Sequence, residues 1–416
     1  MSTKASGAGL LLALSLSLWG VPALAQTTEA SPTSELGNTA PSLTQVAASA
    51  SVESPLDVRL LEAIRHARQI LQQAVDDQLA SSDYKPRVVS SKNAGVEVIL
   101  ALWNPDGNQF DLVRVWKQGR KITPITGEQY EFTLKTDNGV NSEFVVSNRP
   151  DLYVVGLIHP VFSDIGTAAR PRYRLGNAAY VPNSAQLRVP AVVAAGEEYL
   201  ERKINAVYDE LRQLKVSSRA KPGELLADVI DPAAVKTIIA IEHVSATALI
   251  TRDIKDYLDA FYTILAGNEH RAYAYARSSA SARGLAQFIP STYTLIRRAW
   301  PELGLHTDFE QGMIDPYNAI KAQVALMDSN LAVLPGALRQ QYATNWKELG
   351  AYVAAMYNGG PARVKRAIAA HGEAWDTYYG LYQHSLRQET VQYVKKYYLV
   401  YDHFASQPLR LAAAAP

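Results

Sequence analysis

Apolar positions recur along this chain in three rhythms. After Ser54 and Pro55, which supply a cap and a first-turn proline, Leu56, Leu60, Leu61, Ile64, Ala67, Ile70, Leu71, Ala74 and Val75 return at helical spacing. They predict an amphipathic helix over 54–82. Between Tyr84 and Pro190 the rhythm shortens. Val96 to Trp103, Leu112 to Trp116, Tyr130 to Leu134, Phe144 to Val146 and Leu152 to Ile158 read as short strands, set apart by Gly, Asn, Asp and Pro. From Gly196 onward helical spacing takes over. Tyr199, Leu200, Ile204, Val207, Leu211 and Leu214 form one stripe, and later helices open at Asp231-Pro232, Ser291, Asp315-Pro316 and Pro361. The expected architecture is an α+β multidomain chain. A small β-rich domain spans 84–190, and an all-α domain spans 196–410.

The N-terminal stretch follows none of these rhythms. Lys4 precedes an apolar run from Leu10 to Leu18, and Ala23-Leu24-Ala25 matches the small-residue cleavage rule. Residues 1–25 are therefore expected to be an export signal cleaved after Ala25, its apolar core being too short to span a bilayer. Residues 26–53, rich in Ser, Thr, Ala and Pro, read as a flexible linker. The expected location is a bacterial periplasm, or outside the cell, with no stable membrane anchor.

Composition narrows the chemistry. The 416 residues carry 41 Lys plus Arg against 40 Asp plus Glu, and Lys4 is the only charged residue in the first 25. A near-neutral mature chain offers no global field for nucleic acid. Cysteine is absent, which excludes disulfides, thiolate metal sites and a cysteine nucleophile. No nucleotide or metal motif is evident, so no cofactor is expected.

Four blocks in the helical part carry candidate chemistry. Val235, Ile238 and Ile239 mark the apolar face of a helix opened by Asp231-Pro232, and Glu242, seven residues beyond Val235, falls on that face. Burial disfavours a carboxylate and raises its pKa, so such an acid can still donate a proton near neutral pH. A buried glutamate paired with an arginine is the structural alternative. The second block is a small-residue loop from Ser278 through Gly284 and Leu285 to Gln287, whose amide suits a sugar hydroxyl or acetamido group. The third, Met356-Tyr357-Asn358-Gly359-Gly360-Pro361, ends one helix and opens another. The fourth is Glu389-Thr390 followed by Tyr393-Val394. His159, at a strand end beside Pro160, reads as structural.

Taken in order, the four blocks resemble the soluble lytic transglycosylases, the family related to goose-type lysozyme. The family pattern is Glu-Ser closing an apolar helix, then Gly-Leu-Met-Gln, Ala-Tyr-Asn-Ala-Gly-Pro, and Glu-Thr with a downstream Tyr-Val. The resemblance covers roughly 225–405. It implies an α-helical lysozyme-like domain acting on peptidoglycan between N-acetylmuramic acid and N-acetylglucosamine, with Glu242 as acid and then base. It also makes Gln287, Tyr357, Asn358 and Tyr393 cleft residues and Glu389 a supporting one. His243 and Ala286 depart from the pattern, where the family has serine and methionine. So does the 42-residue distance from Glu242 to Gly284, which requires an insertion over about 246–271 containing a helix from Ile254 to Leu265. Glu269, 15 residues before Gly284, is the rival acid. It follows Ala266-Gly267-Asn268, which reads as a helix stop, so Glu242 is preferred.

With no second acid in the blocks beside Glu242, the resemblance implies a one-acid route that ends in a 1,6-anhydro sugar. The alternatives are a non-catalytic, peptidoglycan-binding scaffold and a goose-type hydrolase. Other cell-envelope proteins are candidate partners of the β-rich region, whose role the sequence leaves open.

Overall fold

The computed structural model describes residues 54–80, 87–92, 95–167, 169–243, 253–377 and 385–406. The expected export signal and linker lie outside the described residues, as do the first part of the insertion and residues 407–410.

Helix α1 (Pro55–Ala80) precedes eight strands: β1 (Val88–Val89), β2 (Val96–Asn104), β3 (Gln109–Gln118), β4 (Lys121–Pro124), β5 (Phe132–Thr136), β6 (Glu143–Val146), β7 (Tyr153–Asp164) and β8 (Tyr173–Tyr180). Six of them form an antiparallel sheet in the order β1-β8-β7-β2-β3-β4, and β5 and β6 make a separate hairpin. Alternation along β2 explains the two-sided packing. Ala101 and Trp103 join Val155, Ile158 and Ala179 under the α1 stripe of Leu60, Ile64, Ala67, Leu71 and Val75. Val98, Leu100 and Leu102 face the opposite way, into a core shared with Phe144, Val146 and the helices that follow.

The helices of ten or more residues after the sheet are α2 (Pro190–Gln213), α3 (Pro232–Glu242), α4 (Ile254–Asn268), α5 (Pro290–Ala299), α6 (Pro316–Ala332), α7 (Trp346–Gly359), α8 (Pro361–His371) and α9 (Gln388–Ala405). The chain is therefore mixed: a curled antiparallel sheet region precedes a helical region. Helix α3 is capped by the Asp231 carboxylate, which accepts from Ala233 N, and is buried from Ala234 to Ile241. An apolar helix of this kind needs neighbours all round, and α2, α6, α7 and α9 supply them. Helix α2 crosses α4 closely at Gly196, where an added Cβ would lie 1.9 Å from the Tyr262 carbonyl oxygen.

Three sequence expectations are corrected. Helical structure begins at Pro190, not Gly196, because proline opens the helix at its first turn. Strand β8 was not anticipated. Helix α4 also runs through Ala266 and Gly267 to Asn268. Gly267 serves close packing instead of termination, since a Cβ there would meet Val181 at 2.6 Å.

The sheet and helical regions are sewn together at α4. The buried Asn268 amide donates to Val181 O at 2.9 Å and to Ile264 O at 3.0 Å, while its oxygen accepts from Val181 N at 2.8 Å. One side chain thus satisfies a strand end and a helix end together.

Candidate active site

Helix α3 ends by delivering Glu242 into the packed heart of the helical region. The side chain is partly buried, and Tyr393 on α9 donates its hydroxyl to Glu242 Oε1 at 2.6 Å. Burial raises the Glu242 pKa to about 7, against the opposing pull of the Tyr393 hydrogen bond and the Lys396 charge. Glu389 pushes the same way as burial, as a like charge should.

Lys396 was not picked out from the sequence. It lies three residues beyond Tyr393 on α9, hence on the same helix face. Its ammonium donates to Ile241 O at 2.9 Å and lies 5.1 Å from the centre of the Tyr393 ring. Burial lowers its pKa to about 8, while Glu242 and Glu389 hold it up. The i, i+3 spacing from Tyr393 was the available signal.

The loop holding Gln287 closes one side. Gly284 has φ +69°, and an added Cβ would stand 2.0 Å from the Met313 carbonyl oxygen. Only glycine fits this backbone. Gln287 itself has φ +48° and folds its amide back to donate to Gly284 O at 2.8 Å. Two bonds tie the loop to the acid's surroundings. Tyr357 on α7 donates to Ala286 O at 2.6 Å, and His243 Nε2 donates to Leu285 O at 2.8 Å. That second bond fixes the histidine tautomer, because a carbonyl oxygen only accepts.

His243, the residue after the acid, also stacks on Tyr273 with ring centres 3.7 Å apart. Its burial lowers the pKa to about 4, so the ring is neutral at physiological pH. Tyr273 has φ +61°, and its backbone N donates to Tyr180 Oη at the end of β8 at 3.2 Å. A chain of contacts therefore runs from the sheet region through Tyr180, Tyr273 and His243 to Leu285 of the loop.

Asn358 and Glu389 sit together. Thr390 Oγ1 donates to Asn358 Oδ1 at 2.9 Å, and the Asn358 amide bonds Glu389, whose pKa is raised by burial. Gly359 allows this approach of α7 to α9, since a Cβ there would meet Thr390 Oγ1 at 2.7 Å. The structure thus gathers Glu242, Tyr357, Asn358, Gln287, Glu389 and Tyr393 around one connected network. Glu269 lies elsewhere. It follows α4 at φ +44° and pairs with Arg68 of α1 at 3.2 Å. Among the described residues, no group of three His, Asp or Glu is placed to hold a metal ion.

A family model, the transglycosylase SLT domain, matches residues 256–379. The chain carries a soluble lytic transglycosylase domain. Such a domain indicates peptidoglycan degradation of the lytic transglycosylase type, with peptidoglycan as the substrate. The SLT match takes in the Gln287 loop, Tyr357 and Glu269, and it leaves Glu242, Glu389 and Tyr393 outside. No curated protein and no solved structure matches the chain.

Proposed function

We infer that the helical region cleaves the β-1,4 bond between N-acetylmuramic acid and N-acetylglucosamine without water, using Glu242 first as acid and then as base. The reading rests above all on one observation: a carboxyl held at 2.6 Å by Tyr393, with burial raising its pKa to about 7. Such a group is protonated in a useful fraction at neutral pH.

The protonated Glu242 gives its proton to the glycosidic oxygen as the C1–O bond breaks. Its carboxylate is left facing the Lys396 ammonium and the Tyr393 hydroxyl, which lower the cost of that charge. The substrate's acetamido group covers C1. The C6 hydroxyl then attacks C1, and its proton passes to Glu242. One bond has been exchanged for another, a 1,6-anhydro end has formed, and the acid is restored. Gln287 shapes the loop by folding back on Gly284, Asn358 holds Glu389 and Thr390 beside the site, and Tyr357 braces the loop. Peptidoglycan lies outside the cytoplasm, so this reading carries with it export by the N-terminal leader.

The test is mass analysis of muropeptides released from purified sacculi. Wild type is expected to release anhydro products. Glu242→Gln is expected to release none while unfolding at nearly the wild-type temperature, and Glu269→Gln to keep activity. Products one water heavier would make the protein a hydrolase. Binding without release by wild type would make it a scaffold. An inactive Glu269→Gln beside an active Glu242→Gln would move the acid.

A further inference from the structure

The sheet region ends in an arm. Strands β7 and β8 pair in unbroken register from Leu157↔Tyr180 to Asp164↔Tyr173. The ladder then continues through Ile165 N to Arg172 O at 2.9 Å and through Thr167 and Arg170, bonded both ways at 3.1 Å. Strand β2 accompanies β7 only as far as Ile99↔Ile158, and the β1 segment meets β8 at Tyr173, Arg174 and Leu175. The outer end of the hairpin, residues 163–167 and 169–172, is exposed.

Its two faces differ in charge. Side chains alternate along a strand, so Arg170, Arg172 and Arg174 share one face. Their cross-strand partners are Thr167, Ile165 and Ser163. That face holds three exposed guanidinium groups and no acid. Among the described residues none of the three makes an ion pair. The arm's one acid, Asp164, points to the other face, where it pairs with Lys92 at 3.5 Å and Arg277 at 3.2 Å. Arg277 in turn bridges Arg283, next to Gly284. One ion pair thus ties the outer part of the arm to the segment that leads into the Gln287 loop.

We propose that the Arg170, Arg172 and Arg174 face is a docking surface for the peptide carboxylates that hang from the peptidoglycan strand. The inference rests on peptidoglycan being the substrate. Three like charges with no ion-pair partner among the described residues call for an extended polyanion, and guanidinium groups engage carboxylates with two parallel hydrogen bonds. The Asp164–Arg277 pair holds the other face of the same ribbon against the segment that leads into Gly284 and Gln287. An anionic lipid surface is the competing occupant, since Ile165 is 41% and Val88 43% exposed nearby. The tie to the segment that leads into the site loop favours the substrate.

The experiment uses the full chain carrying Glu242→Gln, so that binding is read without cleavage, and pellets it with sacculi. Changing Arg170, Arg172 and Arg174 together to Gln is expected to weaken sacculus binding about tenfold and to flatten its salt dependence. The matching Lys triple should retain most of the binding. On glycan strands stripped of their peptides the Gln triple should bind like its parent. With Glu242 intact, it should also cut those strands at the parent rate. Unchanged sacculus binding by the Gln triple would overturn the proposal. So would equal loss on stripped strands, or binding to phosphatidylglycerol vesicles but not to sacculi. If the wild type fails to cut stripped strands, the catalytic reading falls, while the binding comparison still stands or falls by itself.

Discussion

The sheet and helical regions differ in the charge they bury. In the sheet region most ion pairs stand at the surface, as Arg114 with Glu97 and Arg149 with Asp151 do. The buried exceptions are quiet. His159, its pKa lowered to about 4 by burial, bonds the carbonyl of the next residue, Pro160, at 2.7 Å. Lys117 meets Asp137 at 2.7 Å. In the helical region Glu242, Lys396, Glu389 and His243 are sunk together within reach of one loop. Exposed pairs contribute little to stability, and a structure gains nothing in stability from a buried acid and ammonium that could not be had from apolar side chains. Titratable groups with shifted pKa values concentrated in one place are the mark of a working site. By that measure the shifted titratable groups gather in the helical region, and Tyr180, Asn268 and Asp164 are among the residues that attach the sheet region to it.

The strongest challenge to this division is at the seam. Asn268→Ala removes three buried hydrogen bonds and strands the amide and carbonyl of Val181, at a cost of about 2–4 kcal/mol. Calorimetry is expected to show a lower unfolding temperature for the whole chain. A transition confined to one region would mean that the two regions fold independently. Next in size, Tyr393→Phe leaves Glu242 without its donor, and kcat is expected to fall roughly 10- to 100-fold, the worth of a hydrogen bond to a charged group. A phenylalanine variant with full kcat would remove Tyr393 from the reaction.

The smallest effect sharpens the role of Lys396. Its charge lowers the pKa of Glu242, so Lys396→Met should raise it. The acid form is lost as pH rises through about 7, and activity falls with it. In the methionine variant the midpoint of that fall should move upward by about one unit. Among the described residues Glu242, Glu389, His243, the Tyr393 ring and the Ile241 carbonyl face Lys396, and none of these changes. An unmoved midpoint would show that the ammonium does not act on the acid.

The mixed architecture was legible because its rhythms differ. Period-two runs such as Val96 to Trp103 stand beside helices with explicit starts at Asp231-Pro232 and Asp315-Pro316. Strand β8 was not legible. Its sequence, Tyr-Arg-Leu-Gly-Asn-Ala-Ala-Tyr, has no β-branched residue, and its place is set by the register of β7. For the candidate site, two turns of helix from Val235 to Glu242 put that carboxyl on a buried face, and the order of the blocks singled out Tyr357, Asn358 and Tyr393 as candidates. What tertiary contact alone creates stayed hidden. No spacing along the chain announces that His243 reaches Leu285, 42 residues on, or that Tyr180 braces Tyr273 across 93.

The hydroxyl of Tyr393 and the carboxyl of Glu242 are 151 residues apart in the chain. A polypeptide is made from its N-terminus, so for most of the time of synthesis this glutamate has neither its tyrosine nor its lysine. Without the last long helix the carboxyl lacks both of these partners. The shifted acidity of Glu242 is thereby a property of the completed fold, not of the helix that carries it.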